Sequence, residues 1–258
     1  MILTGRTISK GKAEGKVLKL QGALSFLGGV DASTGEVKVE NGGNVADRIL
    51  VFPRGKGSTV GSFVMYDLKV HGKAPAAVIN SSAETIVATG AVISSIPMVD
   101  SVDVELINDN DDVIVDADAG TVEIKGVELK ESVSSVVLIG GKIMMLKRPE
   151  NSHSYPGRWS LCAGKIEKGE SPDQAAVREI AEETKIKDPV FKGKLPPVMV
   201  REDKILWKVY PFIFDAGNAK PVLNHENEDY RLVTIDEMQS LNLVDKTVDV
   251  VRELLKMA

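Results

Sequence analysis

The sequence has very few of the residues that support redox, disulfide or cluster chemistry. Its 258 residues include a single cysteine, Cys162, and three histidines. One thiol cannot close an internal disulfide, and it cannot by itself hold an iron–sulfur cluster or a cysteine-rich zinc site. The chain therefore carries no iron–sulfur cluster of its own, and any reaction that needs one requires a second protein.

Long apolar runs and an excess of positive charge are also missing. No apolar run approaches the roughly 20 residues that a membrane helix needs. The N-terminal stretch MILTGRTISKGKAEGK lacks the apolar core of a secretory signal. The net charge is −5, whereas nucleic-acid-binding proteins present basic surfaces to phosphates. We therefore expect a cytoplasmic protein whose partners include neither a membrane nor a nucleic acid.

The composition is that of a globular protein, and the length suggests one large domain or two modest ones. Hydrophobic residues make up 43% of the chain and charged residues 27%. Residues 1–127 alternate short apolar runs with glycine- and aspartate-rich turns, which predicts a mostly β domain. A polar stretch at 126–134 is a plausible boundary. The pattern over 134–258 predicts a mixed α/β domain.

Local patterns place the main elements. In the first domain, apolar runs predict strands at 17–20, 49–52, 76–79 and 113–115, and a short helix is expected to open near Ser58. In the second, strands are predicted at 135–139, 143–146 and 205–214, and helices at 235–241 and 244–257. Ser171 and Pro172 predict the start of another helix, as N-cap and first helical residue.

The densest motif is residues 164–186, GKIEKGESPDQAAVREIAEETKI. At about 100° per residue, Glu179, Glu182 and Glu183 fall within roughly a 100° arc of one helical face. Carboxylates so close repel one another unless hard cations lie among them, and Mg²⁺ prefers oxygen ligands. Arg178 lies four residues before Glu182 and can pair with it. A solvated acidic helix face is the alternative that a lone ExxEE run would favour.

The whole motif resembles the box of the Nudix family of Mg²⁺- or Mn²⁺-dependent diphosphate hydrolases. The matching residues are Gly164, Glu170, Arg178, Glu179, Ile180, Glu182, Glu183 and Ile186. Lys185 stands where the family usually has a glycine that helps to end the helix. The resemblance implies an α/β/α sandwich around a mixed sheet.

The Nudix resemblance also implies roles for individual residues. Glu182 and Glu183 would bind the metal, Glu179 would bind metal or activate the attacking water, and the Gly164 carbonyl would join the metal shell. A downstream acid commonly contributes, and Glu228 is the first candidate, with Glu226 second.

Three further residues near the box have open interpretations. Lys147 and Arg148 follow a predicted strand and are candidates for contacting a substrate phosphate, although surface charge explains them equally well. Cys162 stands near a position that is similar to Nudix relatives of isopentenyl diphosphate isomerase. A small buried apolar residue is the simpler interpretation of Cys162.

The N-terminal half resembles the swivel domain of the aconitase X family over about 125 residues. The stretches that carry the resemblance are 5–15, 28–35, 49–53, 55–62, 75–77, 90–91 and 96–100. The resemblance implies a β-rich swivelling β/β/α domain. In archaea the family includes the small subunit of a two-subunit phosphomevalonate dehydratase, whose large subunit holds an iron–sulfur cluster.

Within that resemblance, Ser58 matches the serine that acts as the base in dehydration of mevalonate 5-phosphate. A free hydroxyl is a weak base near neutral pH, so neighbouring N–H groups at a helix N-terminus would have to assist it. Arg54 and Lys56 would suit the anionic substrate. The resemblance implies an aconitase X large subunit as the partner chain.

Two functions follow as competing hypotheses. In the first, a phosphomevalonate dehydratase small subunit is fused to a Nudix diphosphate hydrolase that acts in isoprenoid metabolism. In the second, the Nudix half is a housekeeping hydrolase of nucleotides or nucleotide sugars, and the N-terminal half is only a docking module. A third possibility is a Nudix half that binds a diphosphate without cutting it, which the intact carboxylates argue against.

Overall fold

The chain was analysed as a computed structural model that describes residues 1–39, 42–152, 154–244 and 247–257. It divides into two compact units. The first consists of Met1–Glu128 with Arg201–Leu206, and the second of Leu129–Val200 with Trp207–Ala258. The domain limits 1–127 and 134–258 stay predictions, although the first unit breaks from the second beside the polar stretch at 126–134.

Ten strands and three helical segments form the first unit. The strands are β1 Ile2–Thr4, β2 Arg6–Ser9, β3 Lys12–Lys19, β4 Glu36–Val37, β5 Gly43–Asn44, β6 Ile49–Phe52, β7 Ala77–Asn80, β8 Met98–Asp100, β9 Asp112–Asp116 and β10 Thr121–Ile124. The helical segments are the short turn α1 Phe26–Gly29 and the helices α2 Gly61–Val70 and α3 Thr85–Ile93, and a 3-10 turn covers Val104–Leu106.

The sheet of the first unit has the strand order β1-β10-β9-β3-β6-β7-β8-β2. Strands β3, β6, β7 and β8 run parallel, and the outer pairings are antiparallel. Alternate residues of β6 face two different cores. Leu50 and Phe52 pack with the helices, whereas Ile49 and Val51 pack with Val113 and the other residues of the antiparallel strands. This arrangement is the predicted β/β/α fold.

Eight strands, three α-helices and one 3-10 turn form the second unit and its edges. The strands are β11 Glu128–Ile139, β12 Lys142–Lys147, β13 Trp159–Ser160, β14 Cys162–Lys165, β15 Val190–Lys194, β16 Val198–Glu202, β17 Ile205–Asp215 and β18 Asp229–Val233. The helices are α4 Pro172–Thr184, α5 Ile235–Met238 and α6 Thr247–Leu254, followed by the 3-10 turn Leu255–Met257.

The second sheet lies between two helical layers. Its central order is β13-β12-β11-β17-β15, with β14 pairing with β11 and β18 with β12. On one face Val137 packs with Ala176 and Ile180 of α4, and on the other face Val136 packs with Met238 of α5 and with residues of α6. Strand β11 thus buries both of its faces, and the unit is the predicted α/β/α sandwich.

Most of the predicted elements are confirmed within a residue or two. The helix that begins after Ser171 has both hydrogen bonds of a capping box with Gln174, and Pro172 is its first residue. Helix α5 ends at Met238, shorter than predicted, because Ser240 and Leu241 continue as a turn rather than as helix. Helix α3 was missed, since the sequence TIVATGAVI is rich in β-branched residues that favour strands. Its packing on the parallel sheet overrides that preference.

None of the helices in the described part of the chain is long and apolar enough to cross a bilayer.

A buried carboxylate ties together the edge of the first sheet. Asp100 ends β8 and is 2% exposed in its side chain, and it lies opposite Arg6 of β2 in the antiparallel register. Arg6 donates two hydrogen bonds, at 2.9 and 2.7 Å, and the backbone N–H of Ala83 donates a third at 3.1 Å. These bonds, led by the Arg6 side chain, lower the pKa of Asp100 below its ordinary value of 3.8.

We predict that Asp100→Asn destabilises the first unit at pH 7. The loss should be about 1–2 kcal/mol, because an asparagine has only one acceptor oxygen, so one of the two bonds from the partly exposed arginine is lost and the other loses its anionic acceptor. Since the pKa of Asp100 is lowered in the folded state, its stabilisation is present above pH 3.8 and disappears as the pH falls toward the folded value. Urea unfolding followed by circular dichroism at pH 7 and near pH 3 measures both effects.

The matched control is Asp112→Asn, which breaks the exposed 3.0 Å pair with Lys16. It should change the unfolding free energy by less than about 0.5 kcal/mol. Equal effects of the two substitutions, or an effect of Asp100→Asn that persists unchanged in acid, would contradict the role given to Asp100.

Candidate functional sites

The predicted serine site lies where a parallel strand passes into a helix. Strand β6 ends at Phe52, and the segment that follows is held by a backbone pairing in which Lys56 N–H donates to Leu24 O at 2.9 Å. Gly57 has φ +106°, and a Cβ there would lie 2.7 Å from the Ser25 hydroxyl oxygen. A side chain at position 57 would therefore be strained and would collide, which explains the need for glycine before Ser58.

Ser58 itself lies at the solvent-exposed start of helix α2. Its Oγ accepts a hydrogen bond from Val60 N–H at 3.3 Å, and its carbonyl accepts one from Gly61 N–H at 2.8 Å. The N–H groups of Gly61, Ser62 and Phe63 donate to the carbonyls of residues 58–60, so Val60 N–H is the backbone donor to this hydroxyl. This donor and the positive end of the helix dipole favour negative charge there. Arg54 and Lys56 of the same loop are exposed. The predicted grouping of these three residues in one loop is present, and their roles stay predictions.

An acid beside this loop escaped the sequence analysis. Glu84 follows strand β7, and a Cβ on Gly55 would lie 3.1 Å from Glu84 Oε2. This oxygen is buried and has no hydrogen-bond partner in the described ranges. The available signal was topological, because loops that follow neighbouring parallel strands meet at one edge of the sheet. The parallel pairing of β6 with β7 could not be derived from the sequence pattern.

In the second unit, one arginine organises the box. The Arg178 guanidinium donates to both oxygens of Glu170 at 2.9 and 3.0 Å and to the carbonyl of Lys165 at 2.9 Å. It also donates to Glu179 at 2.8 Å and to Glu182 at 3.1 Å. The predicted pairing of Arg178 with Glu182 is therefore present, and the same side chain fixes the loop that precedes α4.

Gly164 and Glu179 are in close contact across the loop and the helix. A Cβ on Gly164 would lie 1.9 Å from the carboxyl carbon of Glu179, so only glycine leaves room for this carboxylate. Gly164 is held on β14, which pairs with β11 opposite Val133. The box glycine thus allows the helix carboxylate to approach the backbone of the strand.

Glu183 is a buried carboxylate with an unused oxygen. The residue is 4% exposed, and its Oε2 has no hydrogen-bond partner among the residues that the structure describes. Burial, together with the negative charges of Glu179 and Glu226, raises the pKa of Glu183 from 4.5 to about 7, against the lowering effect of the Cys162 thiol and Arg148. Burial is also the main cause that raises the pKa of Glu179.

The two downstream acids, Glu228 and Glu226, have different surroundings. Glu228 Oε1 lies 2.5 Å from Lys147 Nζ, so these two side chains form an ion pair. The charge of Glu226, by contrast, acts on Glu179, Glu183 and the thiol of Cys162 and contributes to raising the pKa of each. Glu226 is therefore close enough for its charge to act on these groups, and the metal role of a downstream acid stays a prediction.

Arg148 and Cys162 are the two groups that lower the pKa of Glu183. Arg148 donates to Ser154 Oγ at 3.3 Å, while its buried Nε has no hydrogen-bond partner in the described part of the chain. Cys162 is fully buried, and burial is the main cause that raises its thiol pKa well above 9.0. The thiol is therefore protonated near neutral pH, and the prediction of a small buried residue at 162 is confirmed.

The donor atoms suit a hard divalent cation, although they are not yet gathered around one point. Within the described ranges, no three His, Cys, Asp or Glu side chains form a group that could hold a metal ion as they stand. Arg178 holds Glu179 and Glu182 in their present orientations. The orphaned oxygen of Glu183 and the crowding of carboxylates are the features that a bound cation would satisfy. The metal roles of Gly164, Glu179, Glu182, Glu183 and Glu228 stay predictions.

Comparisons with known proteins assign each half of the chain. Residues 2–124 match the aconitase X swivel domain, and residues 129–254 match the Nudix domain. The phosphomevalonate dehydratase small subunit of Thermococcus kodakarensis is 59% identical over 128 residues, which are 48% of this chain and 96% of that protein.

Solved structures show likeness to both halves. The crystal structure of Thermococcus kodakaraensis aconitase X in its holo-form is 58% identical and covers 48% of this chain and 98% of its own, with a TM-score of 0.47. A crystal structure of the MutT protein from Methanosarcina mazei is 26% identical and covers 50% of this chain and 95% of its own, with a TM-score of 0.43.

We predict that Glu183→Gln stabilises the metal-free protein at pH 8. Because the pKa of Glu183 is raised in the folded state, folding retains a proton that the unfolded chain releases between pH 4.5 and about 7. The stability of the parent therefore falls as the pH rises through this window, by roughly 3 kcal/mol at most. The variant lacks this penalty, so its advantage should grow from pH 4.5 to pH 8 in urea unfolding followed by tryptophan fluorescence.

Mg²⁺ should make the parent more stable than Glu183→Gln, because a bound cation relieves the electrostatic penalty in the parent and binds more weakly to the variant. Glu182→Gln serves as the control, because that side chain is 56% exposed and its replacement should leave metal-free stability nearly unchanged. If Glu183→Gln were less stable than the parent at pH 8 without metal, Glu183 would not have a raised pKa in the folded protein.

Proposed function

The chain belongs to the aconitase X swivel family through its N-terminal half and carries a Nudix domain in its C-terminal half, and from this premise we propose that it is a fused enzyme. The first half acts as the small subunit of a phosphomevalonate dehydratase, and the second half hydrolyses the diphosphate of a small molecule. The observation that supports the fusion most directly is that both sites retain their working residues within one chain.

The dehydratase half contributes the base. Ser58 Oγ, as the alkoxide, takes a proton from carbon, the electron pair of that C–H bond forms the double bond, and the neighbouring C–O bond breaks to release hydroxide. One proton from solvent converts this hydroxide to water, and Ser58 loses its new proton to solvent and becomes the alkoxide again. Helix α2 stabilises negative charge at Ser58, and Arg54 and Lys56 attract the phosphate of the substrate. Because one cysteine cannot hold a cluster, an aconitase X large subunit supplies the iron–sulfur centre and completes the site.

The Nudix half contributes a crowded group of carboxylates. Nudix domains generally use a divalent metal, and Mg²⁺ or Mn²⁺, when bound here, would neutralise the diphosphate and acidify an attacking water. Glu182 and Glu183 would hold the ion with the Gly164 carbonyl, and Glu179 would hold it or accept the proton of the water. We assign the downstream position to Glu226 in preference to Glu228, because Lys147 occupies Glu228.

The pairing of the two activities suggests a substrate for the hydrolase. A dehydratase of mevalonate 5-phosphate serves isoprenoid synthesis, so an isoprenoid diphosphate such as isopentenyl diphosphate is the first candidate. The housekeeping alternative, with the N-terminal half as a docking module, is less well supported because that half keeps Ser58 at an exposed helix start rather than a degraded loop.

A substrate panel tests the hydrolase. With Mg²⁺, isopentenyl diphosphate should be cleaved, and Glu182→Gln should lower kcat by a factor of about 100 or more, since an essential metal ligand is lost. Release of phosphate or diphosphate, compared between isopentenyl diphosphate and a set of nucleotides and nucleotide sugars, measures this. Cleavage of nucleotides alone would reject the isoprenoid substrate, and no turnover by the parent on any compound would favour a sensor.

Two single substitutions in the same assay separate the downstream acids. Glu226→Gln should lower kcat or raise the Mg²⁺ requirement by about 10- to 100-fold, as loss of a group that supports a metal site does. Glu228→Gln removes the same charge and should have a much smaller effect. The reverse order would return the metal role to Glu228.

A reconstituted complex tests the dehydratase half. Together with an aconitase X large subunit, the parent chain should dehydrate mevalonate 5-phosphate, and Ser58→Ala should abolish turnover without preventing co-purification of the two chains. Ser81→Ala, an exposed serine after β7, is the control and should retain activity. Full activity of Ser58→Ala would reject Ser58 as the base, and failure of the parent to bind any such subunit would support the docking alternative.

A further inference from the structure

The second unit has a pocket of about 530 Å³ at the C-terminal end of the box helix. One wall is the turn that follows α4, which carries Lys185 and Lys187. The other wall is the turn that follows β17, which ends at Lys220. The ladder between β15 and β17, with Val190 opposite Asp215, holds these two turns side by side. The pocket has the size of an ordinary small-molecule site.

Three ammonium groups at this pocket are not used by the fold. Lys185, Lys187 and Lys220 are exposed, and no ion pair joins any of them to a carboxylate in the part of the chain that the structure describes. Among the described residues, the Lys185 ammonium has one hydrogen bond, a long one of 3.5 Å to the carbonyl of Glu182. A hydrogen bond of this length contributes little to stability.

The end of the helix does not need these lysines either. The carbonyl of Glu183 accepts from Asn224 N–H at 3.1 Å, and the carbonyl of Thr184 accepts from Val222 N–H at 2.8 Å. The last carbonyls are thus capped by backbone donors. Lys187 and Lys220, moreover, lie outside the helix.

Two acids also line the pocket, and one of them is already engaged. Asp215 accepts a hydrogen bond from Gly217 N–H at 2.8 Å and lies 3.7 Å from Lys192. Asp188 is exposed at the rim. The lining thus has three lysines and two aspartates, and Lys192 pairs with one of these aspartates from outside the lining, so the pocket is locally positive on a chain whose net charge is −5.

The floor between these charges is apolar. Ile186 is buried, Ala216 and Ala219 are half-buried, and Val190 is 60% exposed beside them. A ligand that satisfies both the floor and the rim has an anionic group and a short apolar part. Phosphate gives the strongest charge-assisted bonds to ammonium groups.

We propose that this lysine pocket, formed by Lys185, Lys187 and Lys220 around Ile186, Ala216 and Ala219, binds a small organic phosphate with an apolar chain. The site does not depend on the metal, since it contains no member of the box carboxylates. It is therefore separate in chemistry from the hydrolytic site and stands or falls independently of the hydrolase activity.

The test uses n-hexyl phosphate on the full chain with EDTA at low salt. A monophosphate has no diphosphate bond to cleave, and the metal-free carboxylates repel it, so binding reports the pocket. Calorimetry should show hexyl phosphate binding about tenfold or more tightly than inorganic phosphate, because part of the chain is buried on the floor. Amide NMR shifts should centre on Lys187, Gly217 and Ala219.

Lys187→Gln with Lys220→Gln should weaken hexyl phosphate binding by about tenfold. The matched control is Lys10→Gln with Lys69→Gln, which removes the same charge from exposed positions in the first unit and should bind like the parent. Unchanged thermal unfolding shows that each variant is folded.

Several results would overturn the proposal. They are no binding at millimolar hexyl phosphate, equal weakening in both double variants, or shifts confined to the box loop. Binding of adenosine monophosphate as tightly as hexyl phosphate would reject the apolar part of the ligand.

Discussion

Both halves of the molecule depend on strands that are buried on two faces. In β6 the odd and even residues enter different cores, and β11 does the same in the second sheet. A strand of this kind cannot shift its register by one residue, because the shift would exchange its two sets of apolar side chains between cores that differ in shape. The loops that leave these sheets consequently start from fixed positions, and both candidate sites use such loops.

In the first unit this constraint sets the place of the serine. The parallel order of β3, β6, β7 and β8 brings the loops after β6 and β7 to the same edge. Gly57 then turns the chain against Ser25, and Ser58 enters at the start of α2. Ser58 is left exposed to solvent at this edge.

In the second unit the constraint sets a balance among charges. Helix α4 lies against the strand that carries Gly164, so the side chains of Glu179 and Glu183 are largely buried. Arg178 offsets part of the resulting repulsion by binding Glu170, Glu179 and Glu182. Among the described residues, one oxygen of Glu183 has no hydrogen-bond partner, and burial raises the pKa of this side chain to about 7. The fold thus keeps an electrostatic cost that a divalent cation would remove.

The sequence by itself determined the features that depend on neighbours along the chain. The start of α4 at Ser171 and Pro172, the common face of the three glutamates and the buried runs of β6 and β11 follow from spacing, because helix and strand geometry fix it. Lys185 ends the helix in the left-handed conformation with φ 58° although it is not a glycine. Contacts between distant segments were decided only by the tertiary structure. Glu226 and Glu228 are two residues apart, and the sequence could not tell which one Lys147 would neutralise. The position of Glu84 and the lysine pocket could not be predicted from the sequence either. Strand order and the pairing of β15 with β17 are set by packing over the whole sheet rather than by local pattern.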